Sequence, residues 1–114
     1  MSFTPADWRG RIVNPFAGRD LSWLLDFRAE TRGDHPWLVW EPFEGARQTW
    51  TYRQFRERVL RVAAGLRKRG VKAGDFVLAH LDNSPELEFV WFACARLGAV
   101  VVTTNTRSAG EELA

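Results

Sequence analysis

One cysteine stands in the chain, Cys94, so no intrachain disulfide and no cysteine-built metal site can form from these 114 residues. The two histidines, His35 and His80, have no partner at metal-ligand spacing. No run approaches the roughly 18 apolar residues that a membrane span needs, and the opening MSFTPADWRGRIVNPF lacks the apolar segment of a secretory signal. The glycines are scattered: neither G-x-G-x-x-G nor G-x-x-x-x-G-K-[ST] occurs, which removes the loops that cradle phosphates. A formal net charge of +2 is too small an excess to point to nucleic acid. These absences predict a cytoplasmic protein with no integral membrane segment, no metal site in this stretch and no nucleic-acid partner.

What the sequence does hold is apolar and aromatic. A hydrophobic fraction of 46% suits a globular chain, and 114 residues make one small domain or part of a larger one. Six Trp and eight Phe are many for this length. Large rings need large partner surfaces, so either the core is thick or some rings belong against something else.

Residues 1–18 carry Pro5, Gly10, Asn14, Pro15 and Gly18, which predicts an irregular arm. Asp20 can cap a short helix bearing Leu21, Trp23, Leu24, Leu25 and Phe27, ended by Gly33, Asp34 and Pro36. Trp37–Trp40 and Gln48–Tyr52 read as the strands of a hairpin around Pro42, Gly45 and Ala46. A long helix follows, over about 51–69, with Phe55, Val59, Val62, Ala63 and Leu66 on one stripe and Thr51 and Gly70 at its ends. At ~1.5 Å per residue it spans roughly 28 Å.

Phe76–Leu81 is a continuous apolar run, the pattern of a strand buried on both faces. Ser84 and Pro85 open a helix through Leu97, Gly98 closes it, and Ala99–Thr104 is a second apolar strand. Strand, helix, strand is a βαβ unit with parallel strands near 76–81 and 99–104 and a right-handed crossover. The fold class is therefore α/β: the start of a three-layer αβα sandwich, with helix 51–69 expected to cover the sheet. Two parallel strands cannot complete such a sheet, so residues 19–114 read as an incomplete subdomain. Glu111–Ala114 reads as the start of a further helix.

Candidate chemistry is sparse. His80, inside an apolar strand, reads as a hydrogen-bonded structural histidine, and His35 as solvated. Cys94, among Phe92, Ala93, Ala95 and Leu97, reads as a small buried hydrophobe rather than a nucleophile. Between Arg53 and Lys72 lie eight basic residues and one acid, Glu57. A basic amphipathic helix can bind anionic membrane or nucleic acid; the plainer reading is a solvated face over a core-facing stripe. Asp82, Glu86 and Glu88 serve the N-terminal end of a helix. No catalytic residue, no general acid or base and no metal ligand emerges.

Several short strings agree, in order, with one family. Trp50-Thr51-Tyr52-Arg53-Gln54-Phe55 resembles the motif that opens the first long helix of adenylate-forming enzymes. Ala63-Ala64-Gly65-Leu66, Gly70-Val71, Gly74-Asp75-Phe76-Val77, Leu81-Asp82-Asn83-Ser84-Pro85-Glu86, Arg96-Leu97-Gly98-Ala99-Val100-Val101-Val102 with Asn105, and Glu111-Glu112-Leu113 continue the match over about 49–114. The chain resembles the N-terminal part of the acyl- and aryl-CoA synthetases, and its Thr-Asn-Thr-Arg-Ser ending resembles the carnitine/crotonobetaine-CoA ligase branch. It departs from the pattern at Asp82, where proline is common, and at Thr103 and Thr106, where prolines usually flank the asparagine.

The resemblance implies a ligase of fatty acid or carnitine metabolism: a carboxylic acid and ATP give an acyl-adenylate, and coenzyme A then displaces AMP. ATP, coenzyme A and Mg2+ are the implied cofactors of the parent enzyme. Its phosphate loop, ribose-binding aspartate and C-terminal lysine have no counterpart here, so the chain alone is expected to be inactive and to pack against the rest of the same domain. One site residue carries over: Arg107, two positions after Asn105, matches an arginine that in some CoA ligases meets the phosphates of coenzyme A's nucleotide. Read without the resemblance, Arg107 is a solvated loop arginine. Two other classes of function stay open: a binding module built on the basic helix, and a structural subunit that completes its sheet with a partner.

Overall fold

A computed structural model describes residues 17–107. Seven elements follow in order: α1 (Leu21–Thr31), β1 (Pro36–Trp40), β2 (Gln48–Thr51), α2 (Tyr52–Lys68), β3 (Phe76–Ala79), α3 (Pro85–Leu97) and β4 (Val100–Thr103). The expected irregular arm falls largely outside the described residues, as does the helix start at Glu111.

The helix ends form as the local chemistry dictates. Asp20 Oδ1 accepts from the Trp23 amide at 2.8 Å, and Ser84 Oγ from the Leu87 amide at 3.3 Å, with Pro85 at the first helical position. Thr51 heads α2 with a reciprocal capping box: its hydroxyl accepts from the Gln54 amide while Gln54 Oε1 accepts from the Thr51 amide. At the other end Arg69 is the last capping residue, and Gly70, one position on, takes the left-handed conformation at φ 97°.

β1 and β2 pair antiparallel, with Leu38 beside Trp50 and an irregularity between Pro36 and Leu38. β3 and β4 pair parallel, with Phe76 beside Val100 and Ala79 beside Thr103. Gly98 makes that crossover end sharply, at φ 73°; a Cβ there would press on Ala73 Cβ at 3.3 Å, and its carbonyl accepts from the Gly74 amide at 2.9 Å.

Phe55 sits at the centre of the core with no exposed surface, together with Leu25, Val59, Ala63, Phe89, Phe92 and Ala93. Its ring centroid lies 5.2 Å from that of Phe92 and 5.4 Å from that of Phe89, and Trp37 and Trp50 close the cluster edge-on against Phe92 and Phe89. Arg56 and Arg96 converge on Asp26, joining α1 to α2 and α3.

Two expectations change. The stripe of α2 does not cover the parallel pair; it packs on α3 and the hairpin, and among the described elements α3 is the one that lies most closely against β3 and β4. Nor are those strands buried on both faces. Phe76 is 76% and Leu78 60% exposed, while Val77 is half-buried and Ala79 buried. Val100 and Val102, their cross-strand neighbours, are exposed as well. Side chains alternate across a strand, so one face of the pair meets α3 and the other is a bare apolar surface.

Truncating the central ring tests this packing. Phe55→Ala is expected to cost about 3–5 kcal/mol of unfolding free energy, whereas Thr51→Ala, which opens the capping box, costs about 1 kcal/mol. Urea titration of the two variants checks the order; equal small losses would contradict a core centred on Phe55.

Candidate functional site

The polar side chains gather at the carboxyl ends of β3 and β4, where open α/β sheets bind ligands. The last backbone bond between the strands runs from the Thr104 amide to the Ala79 carbonyl at 3.3 Å. Beyond it, pairing passes to side chains. His80 Nδ1 lies 2.7 Å from Thr104 Oγ1, and the Thr106 hydroxyl donates to Asp82 Oδ1. Both pairs are 24 residues apart, the same offset that sets Phe76 beside Val100. Next along the chain, the Arg107 amide donates to Asn105 Oδ1 at 2.9 Å, an Asx turn that leaves the guanidinium exposed.

A cleft of about 560 Å³ opens here, with Asp82, Asn83, Thr104, Asn105 and Thr106 on one wall and Leu87, Glu88 and Trp91 of α3 on the other. Asp82 is committed to a hydroxyl, so it reads as a structural acceptor rather than a general base. Arg107, beside the cleft, supplies the planar donor set that suits a phosphate group. Among the described residues no three His, Cys, Asp or Glu side chains converge as a metal ion needs.

A larger recess, about 920 Å³, lies at the opposite end, lined by Leu60, Ala64, Arg67, Lys68, Lys72 and Arg96 among others. It adjoins the C-terminal ends of α2 and α3, whose partial negative charge the cations there complement. That accounts for its basic lining without a ligand.

His80 stands one residue past the end of β3, exposed and hydrogen-bonded, rather than inside a strand. His35 is exposed, with Nδ1 2.8 Å from the Pro36 carbonyl oxygen. Of the basic run, Arg53 pairs with Asp34, and Arg56 approaches Asp26 and Glu30. Cys94 is fully buried, and burial pushes its thiol pKa up. The side-chain pairs His80–Thr104 and Asp82–Thr106 were not foreseen. Their equal spacing was visible, but it becomes a signal only once the parallel register is known.

Comparison with known proteins gives this geometry a family. The AMP-binding enzyme family matches residues 25–114, and the chain belongs to it. It is 39% identical, over 97 residues, to a crotonobetaine/carnitine–CoA ligase of Salmonella paratyphi A, covering 85% of this chain and 19% of that protein. The chain thus spans about a fifth of the length of the curated relatives it matches. Among solved structures, the N-terminal domain of FACL13 of Mycobacterium tuberculosis shares 35% identity at a TM-score of 0.72, over 81% of this chain and 22% of that one. A fatty acid AMP ligase of Legionella pneumophila superposes at a TM-score of 0.75 and 21% identity, over 90% of this chain and 18% of its own, and shares the fold. The α/β class, the parallel βαβ unit and the preceding long helix are therefore those of an adenylate-forming enzyme's N-terminal domain.

The buried thiol yields a test. A folded thiol that holds its proton more tightly than an unfolded one contributes stability that is complete below the ordinary thiol pKa and is lost as pH rises from there through the raised pKa of the folded state. Cys94 is expected to resist an aromatic disulfide reagent at pH 7.5 in buffer and to react in full in concentrated urea. Immediate labelling without denaturant would show the thiol to be accessible.

Proposed function

We propose that residues 19–114 are the opening part of a larger adenylate-forming domain in an ATP-dependent acid–CoA ligase. In this reading a carboxylic acid attacks ATP to give an acyl-adenylate and pyrophosphate, and the thiol of coenzyme A displaces AMP. The observation that carries it is the 39% identity over 97 residues to a relative named crotonobetaine/carnitine–CoA ligase. The bare face of Phe76, Leu78, Val100 and Val102 supports the rest of the same domain as its partner. Among the described residues no helix is long and apolar enough to cross a membrane, and we place the parent enzyme in the cytoplasm.

Both half-reactions build negative charge on phosphate and carbonyl oxygens, which needs preorganised donors and Mg2+. The 114 residues hold neither a phosphate-cradling loop nor, among those described, a cluster of metal ligands. The chain alone is therefore inactive. Arg107 is the group here that meets the ligand: its guanidinium contacts a phosphate of coenzyme A's nucleotide, in the thioester-forming half-reaction.

The basic-helix module has less support. The apolar stripe of α2 that a membrane would receive is already buried against α3. A structural subunit would use the same bare sheet face, and gel filtration with a candidate partner separates that reading from the ligase.

Two outcomes test the proposal. The purified chain shows no ATP–pyrophosphate exchange; exchange by pure material would refute its inactivity. In the complete ligase, Arg107→Ala raises the KM for coenzyme A by about 10- to 100-fold, the worth of a hydrogen bond to a charged group, and leaves the exchange reaction intact. An unchanged KM for coenzyme A would remove Arg107 from the site.

A further inference from the structure

We propose that Asp82 is a positioning residue for coenzyme A: it accepts the Thr106 hydroxyl and so holds the turn that presents Arg107. The proposal rests on the reading of Arg107 given above. Three observations lead to it. Backbone pairing between β3 and β4 ends at Thr104, so nothing in the ladder holds residues 105–107. The Asp82–Thr106 bond keeps the same 24-residue offset and extends the register two residues beyond His80–Thr104. Arg107 follows immediately, its amide fixed from within the turn by Asn105. The turn is thus tied at one point to the loop after β3 and at another to itself.

Such a tie matters energetically. Fixing a loop backbone costs conformational entropy. If the protein fixes it before the ligand arrives, that cost does not come out of binding. Asp82 makes this tie without itself contacting the ligand. Its charge has the wrong sign for a phosphate, and among the described residues no ion pair joins it to Arg107. Its value to binding is geometric, and that separates it from a residue acting by field. An acid acting by charge repels phosphate, so its removal tightens coenzyme A binding; an acid acting as a clasp weakens binding when removed.

The test uses the complete ligase and steady-state kinetics with coenzyme A varied. Asp82→Ala and Thr106→Val, the latter nearly isosteric, each raise the KM for coenzyme A about three- to tenfold, the worth of one hydrogen bond, with little change in kcat. Asp82→Asn and Thr106→Ser, which keep an acceptor and a hydroxyl, stay near the parent value. The double variant is no worse than either single one, because both remove the same contact. A fall in KM on Asp82→Ala, an unchanged KM, or effects that multiply in the double variant would each overturn the proposal. Arg107→Ala, assayed alongside, tells the two failures apart. If it raises KM and Asp82→Ala does not, the clasp alone falls. If Arg107→Ala has no effect, the reading of Arg107 falls and takes the clasp with it.

Discussion

The structure depends on α3 being packed from two sides at once. On one side Phe89, Phe92 and Ala93 meet the Phe55 ring and the stripe of α2; on the other, α3 covers β3 and β4. A helix apolar over most of its circumference is stable in water only when both sides are covered. This arrangement sets the parallel strands at a fixed height over the core. It also fixes where their carboxyl ends, and the polar residues just beyond them, emerge beside the N-terminal turn of α3.

The same packing leaves the β3–β4 pair half finished. A parallel pair joined by one crossover helix can bury a single face with that helix, and the opposite face then exposes Phe76, Leu78, Val100 and Val102 in two cross-strand rows. Apolar side chains on both faces of such short strands match a sheet clothed on both sides. The sequence specifies two-sided burial, and the described residues supply one side.

How much was legible follows from which interactions are local. The caps at Asp20, Thr51 and Ser84, the glycine turns at Gly70 and Gly98 and the stripe on α2 are set within a few residues, and all were readable from spacing. The hairpin and the parallel unit followed from strand-length apolar runs. What α2 packs on was not readable, because an apolar stripe states that a partner exists and not whether it is a sheet or another helix. The excess of aromatic residues resolves into both alternatives: the rings of Trp37, Phe89 and Phe92 close round Phe55, and others, such as Phe76 and Trp91, stay exposed. At the candidate site Arg107 came from resemblance alone. The clasp between Asp82 and Thr106 needs the register, a long-range fact that two valine-rich runs do not determine.

We propose that the second face of β3–β4 is an interior surface, covered in the complete protein by the rest of its domain. Fluorescence of a hydrophobic dye added to the isolated, folded chain reads this most directly, with Phe76→Ser/Leu78→Ser as the control. Strong enhancement is expected, largely removed by the double substitution while the far-ultraviolet dichroism stays unchanged. No enhancement, or enhancement indifferent to the substitution, would contradict it.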